Sequence, residues 1–127
     1  MISWGRSIIA VLLGEALPIL ALVTLVAVAG PADPTEAGEF ARRAGAWVGP
    51  VGGALAVLGL SWWAGAKSSR PVLQGAGIGL AVAALDLGIL YSSGEPFQWL
   101  FVLSNSGKVI AGILGGWLAA RAAASQA

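Results

Sequence analysis

Residues 7–29 read SIIAVLLGEALPILALVTLVAVA, an apolar run whose only charged residue is Glu15. A helix needs about 20 consecutive apolar residues to cross the hydrocarbon core of a bilayer. The run therefore predicts a membrane-spanning helix, with a kink at Pro18. Its basic start and the closing Ala27-Val28-Ala29 also resemble a signal peptide. Because signal peptides have a shorter apolar region, of about 7–15 residues, and Glu15 interrupts this one, we expect a retained span.

Three more segments are apolar enough to cross a membrane, at about residues 46–66, 72–91 and 97–120. Of the 127 residues, 57% are hydrophobic and 10% are charged. Soluble domains carry about 25% charged residues, so lipid must solvate most of this chain. We expect an all-α membrane protein, a single domain spanning residues 1–127 and built as a bundle of four transmembrane helices.

Charges in the connections predict the orientation. One side, which we call the basic end, holds four positive charges: Arg6, Lys67, Arg70 and Arg121. The opposite, outer side holds two positive charges and four negative ones: Arg42, Arg43, Asp33, Glu36, Glu39 and Glu95. The positive-inside rule then places both termini in the cytoplasm. We expect a multi-pass protein of a bacterial inner membrane, with many of the 6 tryptophans near the headgroups.

The outer loop between the first two spans contains a helix-start signal. Asp33-Pro34-Thr35-Glu36 offers a capping residue, a proline at the first helical position and an acid in the first turn. A short helical cap is predicted there, running towards the second span with a bend at Pro50. Glu39 is spaced to pair with Arg42 or Arg43. These charges are either a solvated surface or an outer gate or partner surface.

Small residues recur every four positions on three of the spans. Such faces let helix backbones approach closely in membranes, where packing and interhelical hydrogen bonds drive association. The glycines concerned are Gly45, Gly49 and Gly53 in the second span, Gly75 and Gly79 in the third, and Gly112 and Gly116 in the fourth. They predict tight packing within the bundle, an interface in a homo-oligomer, or both.

Three ionisable residues lie inside the spans: Glu15, Asp86 and Lys108. At about 1.5 Å per residue, they lie roughly 13, 24 and 20 Å from the basic residues of their own spans. Lys108 is thus bracketed in depth by the two acids and can pair with either. One lysine leaves one carboxylate unpaired, which in a low dielectric takes up a proton or binds a cation. The alternative is a buried ion pair that only fixes helix register.

Two further residues extend this candidate site. Asn105 lies one helical turn before Lys108 and offers a neutral ligand. Pro18 cannot donate a backbone hydrogen bond, so the carbonyl of Gly14, next to Glu15, loses its helical partner. A freed carbonyl beside a carboxylate is typical of ion sites in broken transporter helices, although water or a hydroxyl can also satisfy it.

The composition excludes several classes of function. With no cysteine and no histidine, the chain has no disulfide, thiol nucleophile, thiolate metal site or histidine-based catalysis. We expect no cofactor, no metal site and no enzymatic activity. An enzyme acting on lipid through carboxylates alone is the least favoured hypothesis. The net charge of +1 is too small to predict a nucleic-acid partner.

The leading hypothesis is an oligomeric proton-coupled transporter or cation channel that uses Glu15, Asp86 and Lys108. Four helices are few to enclose a pathway, so this function requires a homo-oligomer. The alternative is an accessory or assembly subunit of a larger membrane complex. In size, span number and the single glutamate of its first span, the chain resembles the small multidrug resistance exporters. This is a likeness of architecture only, because Asp86, Lys108 and the long outer loop depart from that family.

Overall fold

A computed structural model describes all 127 residues, and every regular element in it is a helix. The elements are α1 (Trp4–Ala29), α2 (Pro34–Trp47), a π-helical turn (Val48–Gly52), α3 (Gly53–Gly65), α4 (Pro71–Ser92) and α5 (Trp99–Ser125). Four helical stretches are long and apolar enough to cross a membrane: Trp4–Ala29, Pro34–Gly65, Pro71–Ser92 and Trp99–Ser125. The prediction of an all-helical chain with four candidate spans is confirmed.

The distribution of apolar side chains fits a protein solvated by lipid. Only 21 of the 127 residues are buried, and most of the large aliphatic and aromatic side chains face outwards. The buried apolar cluster is made of small and medium residues: Ala10, Val57, Ala64, Ile78, Val82 and Ala111. In water such an apolar surface would drive aggregation, whereas in a bilayer it is the solvated face.

Helix α2 begins as the sequence predicts. The Asp33 carboxylate accepts hydrogen bonds from the backbone N–H groups of Thr35 at 2.8 Å and Glu36 at 3.2 Å. Pro34 occupies the first helical turn, where its missing N–H costs nothing. The expected ion pair of Glu39 with Arg42 or Arg43 does not form. Lys108 is the only basic residue within 4.0 Å of a carboxylate.

The segment at Pro50, where the sequence predicts a bend, is a π-helical turn. Pro50 lies in the middle of Val48–Gly52, which joins α2 to α3 without breaking the helical path. A proline removes one backbone donor and crowds the preceding turn, and widening that turn relieves the crowding. In α1, by contrast, the helix continues from Trp4 to Ala29 through Pro18.

Helix α5 packs on α4 through backbone-to-backbone contacts between glycines. A methyl group added to Gly75 would collide with the carbonyl of Gly112, and one added to Gly112 would collide with the carbonyl of Gly75. A methyl group at Gly79 would lie 2.7 Å from the carbonyl oxygen of Lys108, and one at Gly116 would collide with the carbonyl of Pro71. We call these four glycines the α4–α5 seam. The seam fixes the level at which Lys108 faces its neighbours.

The glycines at the start of the second span have different surroundings. A methyl group at Gly45 would be in ordinary contact with Leu22 of α1, at 3.4 Å, and one at Gly49 would meet nothing within 4 Å. At Gly53 it would lie 2.8 Å from Cε of Lys108. Gly45 and Gly53 thus leave room for a side chain of α1 and for Lys108 of α5, respectively.

Candidate functional site

The structure brings the three intramembrane charges together. The ammonium Nζ of Lys108 lies 3.3 Å from Oδ2 of Asp86 and 3.9 Å from Oε2 of Glu15. The Lys108 side chain is 5% exposed, the Glu15 side chain 11% and the Asp86 side chain 21%. One lysine of α5 therefore joins α1 to α4, and Asp86 is the most accessible member of the group. Of the two partners that the sequence left open, Lys108 contacts both, with Asp86 the nearer.

Two glycines make room for this lysine. Its aliphatic stem crosses the α3 backbone at Gly53, where Cε, Nζ and Cδ would lie 2.8, 3.7 and 3.9 Å from an added methyl group. Its own backbone lies against Gly79 of α4, within the α4–α5 seam. A long side chain held along its stem loses most of its rotamer freedom on folding, so its ammonium is positioned before any ligand arrives.

A small polar cavity of about 120 Å³ adjoins the three charges. Its lining comes from α1, the π-helical turn, α4 and α5: Glu15, Pro18, Ile19, Leu22, Gly49, Asp86, Ser104 and Lys108. A cavity of this volume has room for several water molecules or a partly hydrated ion. The cavity has a carboxylate on either side and a hydroxyl, which are oxygen ligands suited to small hard cations.

The charges of this group do not cancel. Two carboxylates against one ammonium leave one negative charge when all three are ionised. An uncompensated charge is costly at membrane depth, where ionisable groups are paired or functional. One proton or one monovalent cation bound at the cavity makes the group neutral.

Asp86 and Lys108 lie in the half of the bundle opposite the basic end, and Glu15 lies near the middle of α1. Counting about 1.5 Å per residue along each helix, Asp86 is roughly 9 Å from the end of α4 at Ser92 and Lys108 roughly 14 Å from the start of α5 at Trp99. Glu15 is roughly 21 Å from the end of α1 at Ala29. Glu15 and Asp86 therefore lie at different depths along the bundle, with Lys108 between them.

The other residues predicted for the site are placed differently. Asn105 is buried, and its side-chain N–H donates to the Phe101 carbonyl at 2.8 Å, while its Oδ1 has no hydrogen-bond partner. It does not line the polar cavity. Its neighbour Ser104, which the sequence analysis did not single out, does. Gly14 faces Val82 and Val57, where an added methyl group would lie 3.0 and 3.6 Å from their methyl carbons.

A second polar cluster ties α1 to α4 at the basic end. The amide of Gln74 donates to the Ser3 carbonyl at 3.1 Å and to the Ser7 hydroxyl at 2.9 Å, and it accepts from the Ser3 N–H at 3.3 Å. Gln74 is 3% exposed. Sequence reasoning missed this residue, although an amide directly before Gly75, at the start of a small-residue face, is a usable signal for an interhelical hydrogen bond.

Arg6 reinforces the same end of the bundle. Its guanidinium donates to the Trp63 carbonyl at 2.7 Å and lies 4.6 Å from the centre of the Trp63 ring. Backbone and side-chain contacts between Met1 and Ser69 lie nearby. These contacts hold α1 against α3 and the α3–α4 connection at the basic end.

Comparison of the chain with protein-family models, with curated proteins and with solved structures gives no match. The resemblance to the small multidrug resistance exporters therefore has no support beyond span number and Glu15. Any function has to be argued from the chemistry of the site itself.

Proposed function

We propose that this protein moves protons and a small monovalent cation across the membrane, with both competing for the uncompensated charge of Glu15, Asp86 and Lys108. The observation that carries the proposal is the pairing of one buried lysine with two carboxylates on a polar cavity. Such a group is neutral only when one proton or one cation is bound. A site that must bind one or the other is suited to exchange between them.

Each member of the group has a distinct role in this proposal. Glu15, the deeper and farther partner of Lys108, is the carboxylate that exchanges proton for cation. Asp86 stays paired with the ammonium at 3.3 Å and sets the field in the cavity. The Ser104 hydroxyl supplies a neutral ligand, the part that the sequence analysis gave to Asn105.

A continuous pathway for the ion on either side of the site requires more than one chain. One chain provides a cavity of about 120 Å³, which is too little for a continuous pathway. We propose a homo-oligomer, multi-pass in a bacterial inner membrane, with both termini in the cytoplasm. Supporting this, α4 turns a line of exposed small residues to the lipid: Ala84, Gly88 and Ser92.

The test is flux in proteoliposomes under an imposed pH gradient. The protein carrying Glu15→Gln is compared with the wild type and with Glu39→Gln, a matched change on the exposed face of α2. We expect Glu15→Gln to reduce proton and cation flux at least tenfold and Glu39→Gln to leave it unchanged. Glu15→Gln leaves Asp86 and Lys108 as a neutral pair, so we expect its folding to be intact.

Flux that survives in Glu15→Gln would contradict the role of that carboxylate. If the folded wild-type protein shows no flux with a broad panel of ions and solutes, transport is wrong and the buried charges serve the structure. A loss of flux that accompanies a loss of stability would also count against the assignment, because the neutral pair should fold.

A second candidate function rests on a separate observation. Helix α2 buries none of its residues, and its four charged side chains are exposed without ion-pair partners: Glu36, Glu39, Arg42 and Arg43. These charges are free to pair with another protein, which is the surface that an accessory or assembly subunit needs. This candidate predicts stoichiometric co-purification with a larger membrane protein, lost when all four charges are reversed, and no flux from the isolated chain.

A further inference from the structure

An apolar groove runs between α1 and α4 in the half of the bundle that contains the basic end. Its volume is about 530 Å³ and its walls include Ile8 and Leu12 of α1 and Leu73, Gly77 and Ala81 of α4. The groove exists because α4 has small residues here. A methyl group at Gly77 would meet nothing within 4 Å.

The length of the groove selects among possible occupants. It extends from Trp4 to Leu12 along α1 and from Leu73 to Ala81 along α4, roughly 12 Å in each case at 1.5 Å per residue. One leaflet contributes about 15 Å of hydrocarbon, whereas a transmembrane helix from a second protein would need a surface about 30 Å long. The groove therefore matches an acyl chain of one leaflet in depth.

The polar groups in its wall do not compete for a ligand. Gln74 and Ser7 line the groove, and they are hydrogen-bonded to each other and to the Ser3 backbone. A wall whose polar groups are already satisfied presents a dry surface, which favours a hydrocarbon occupant over water.

The mouth of the groove adjoins a second depression that carries positive charge. This depression, of about 350 Å³, is lined by Arg70 and Ser69 and shares Ile2 and Trp4 with the groove. Arg70 is exposed and has no carboxylate within 4.0 Å. Trp4, the first residue of α1, is 71% exposed, and aromatic side chains at the ends of membrane-spanning helices are typical of the headgroup level. An apolar groove that ends at a free guanidinium is complementary to a lipid with an anionic headgroup.

We infer that the α1–α4 groove binds one anionic phospholipid of the leaflet at the basic end. One acyl chain lies between Leu12 and Gly77, and the phosphate lies at Arg70 and the Ser69 hydroxyl. The lipid contacts α1 between Trp4 and Leu12. Together with the hydrogen bonds of Gln74, it holds α1 against α4. This inference does not depend on the proposed transport function.

The test measures retained lipid by native mass spectrometry after detergent exchange, with phosphatidylglycerol as the added probe. Gly77→Leu fills the groove, and Gly59→Leu is the matched control, because Gly59 of α3 also has nothing within 4 Å of its Cβ position. We expect Gly77→Leu to lose bound phosphatidylglycerol at least tenfold and Gly59→Leu to retain it. We expect Arg70→Gln to bind about fivefold more weakly, the contribution of one basic residue near an anionic surface, and Arg121→Gln to bind like the wild type.

A second measurement uses the unmodified protein, so its result does not depend on whether the variants fold. Phosphatidylglycerol with a photoreactive group in the middle of its chain should label residues 8–12 and 73–81, as mapped by peptide mass spectrometry. Equal retention by Gly77→Leu and Gly59→Leu, or labelling spread evenly over all four spans, would overturn the inference. It is also wrong if Gly77→Leu changes the number of subunits, because the groove then holds a second copy of the chain.

Discussion

Helices α5 and α1 are both long and apolar, yet they are held in the bundle by different means. Helix α5 buries seven residues, and five of them are alanine or glycine, among them Gly112. Helix α1 buries only Ala10, Gly14 and Glu15. The seam of α5 is made of backbone against backbone, whereas α1 packs through Ala10 and Gly14 and is also held by polar contacts at Glu15 and at the basic end.

This difference indicates which helix can move. A seam of interlocked backbones has one arrangement, because any shift opens a gap or creates a collision. Hydrogen bonds and ion pairs between side chains tolerate small displacements and can exchange partners. Because α1 carries Glu15, a movement of α1 relative to α4 changes the polar cavity while Lys108 stays fixed on α5. We therefore expect α3, α4 and α5 to form a rigid unit and α1 to be held more loosely.

Removing the lysine should have the largest effect. In Lys108→Met two carboxylates remain in the bundle without a cation, and loss of one partner of a buried ion pair costs about 3–5 kcal/mol. Unfolding with SDS in mixed micelles measures the loss, with Lys67→Met as the control at an exposed lysine. We expect the triple variant with Glu15→Gln and Asp86→Asn added to regain most of the stability. If Lys108→Met is as stable as Lys67→Met, the three charges do not form a buried group.

Two neighbouring glycines of α4 test the seam. Gly75→Ala forces a methyl group into the carbonyl of Gly112, a backbone atom that cannot give way, and we expect a loss of about 3 kcal/mol, the upper end for overpacking. Gly77→Ala adds the same methyl group into open space, and there we expect no loss and a gain of up to about 1 kcal/mol from helix propensity. The same unfolding assay compares them. Equal stabilities would show that α4 and α5 are not in backbone contact.

Much of the fold follows from composition and spacing. Four apolar runs predict the four candidate spans, since a helix satisfies its backbone hydrogen bonds internally in lipid. Asp33 and Pro34 mark the start of α2 because capping is a local interaction. Pro50 marks an irregular segment of the second span, although sequence alone does not show that this segment is a π-helical turn.

The site could be predicted only in part. Glu15, Asp86 and Lys108 stand out because charge is costly in a membrane, and their estimated depths place Lys108 between the two acids. The rotation of each helix about its own axis is harder to predict. Helix α1, for example, is apolar on every side, so its sequence does not show which face is buried. For that reason the sequence analysis named Asn105, and not Ser104, as the neutral ligand of the site. It also left open which acid pairs with Lys108. Gln74 was missed because its partners, Ser3 and Ser7, lie about 70 residues away in the chain.

The smallest expected effect tests the attachment of α1 at the basic end. Gln74→Leu removes the hydrogen bonds to Ser3 and Ser7, and interhelical hydrogen bonds in membranes contribute about 0.6 kcal/mol each, so we expect a loss of about 1–2 kcal/mol. Gln98→Leu, at the exposed start of α5, is the control.

The location of the effect matters more than its size. Hydrogen exchange in Gln74→Leu should speed up in the first turns of α1 and leave Gly112 and its neighbours in α5 as protected as in the wild type, because the α4–α5 seam does not involve Gln74. An equal increase in both helices would mean that α1 is part of the same rigid unit as α5, and the distinction between a fixed seam and a loosely held first helix would be wrong.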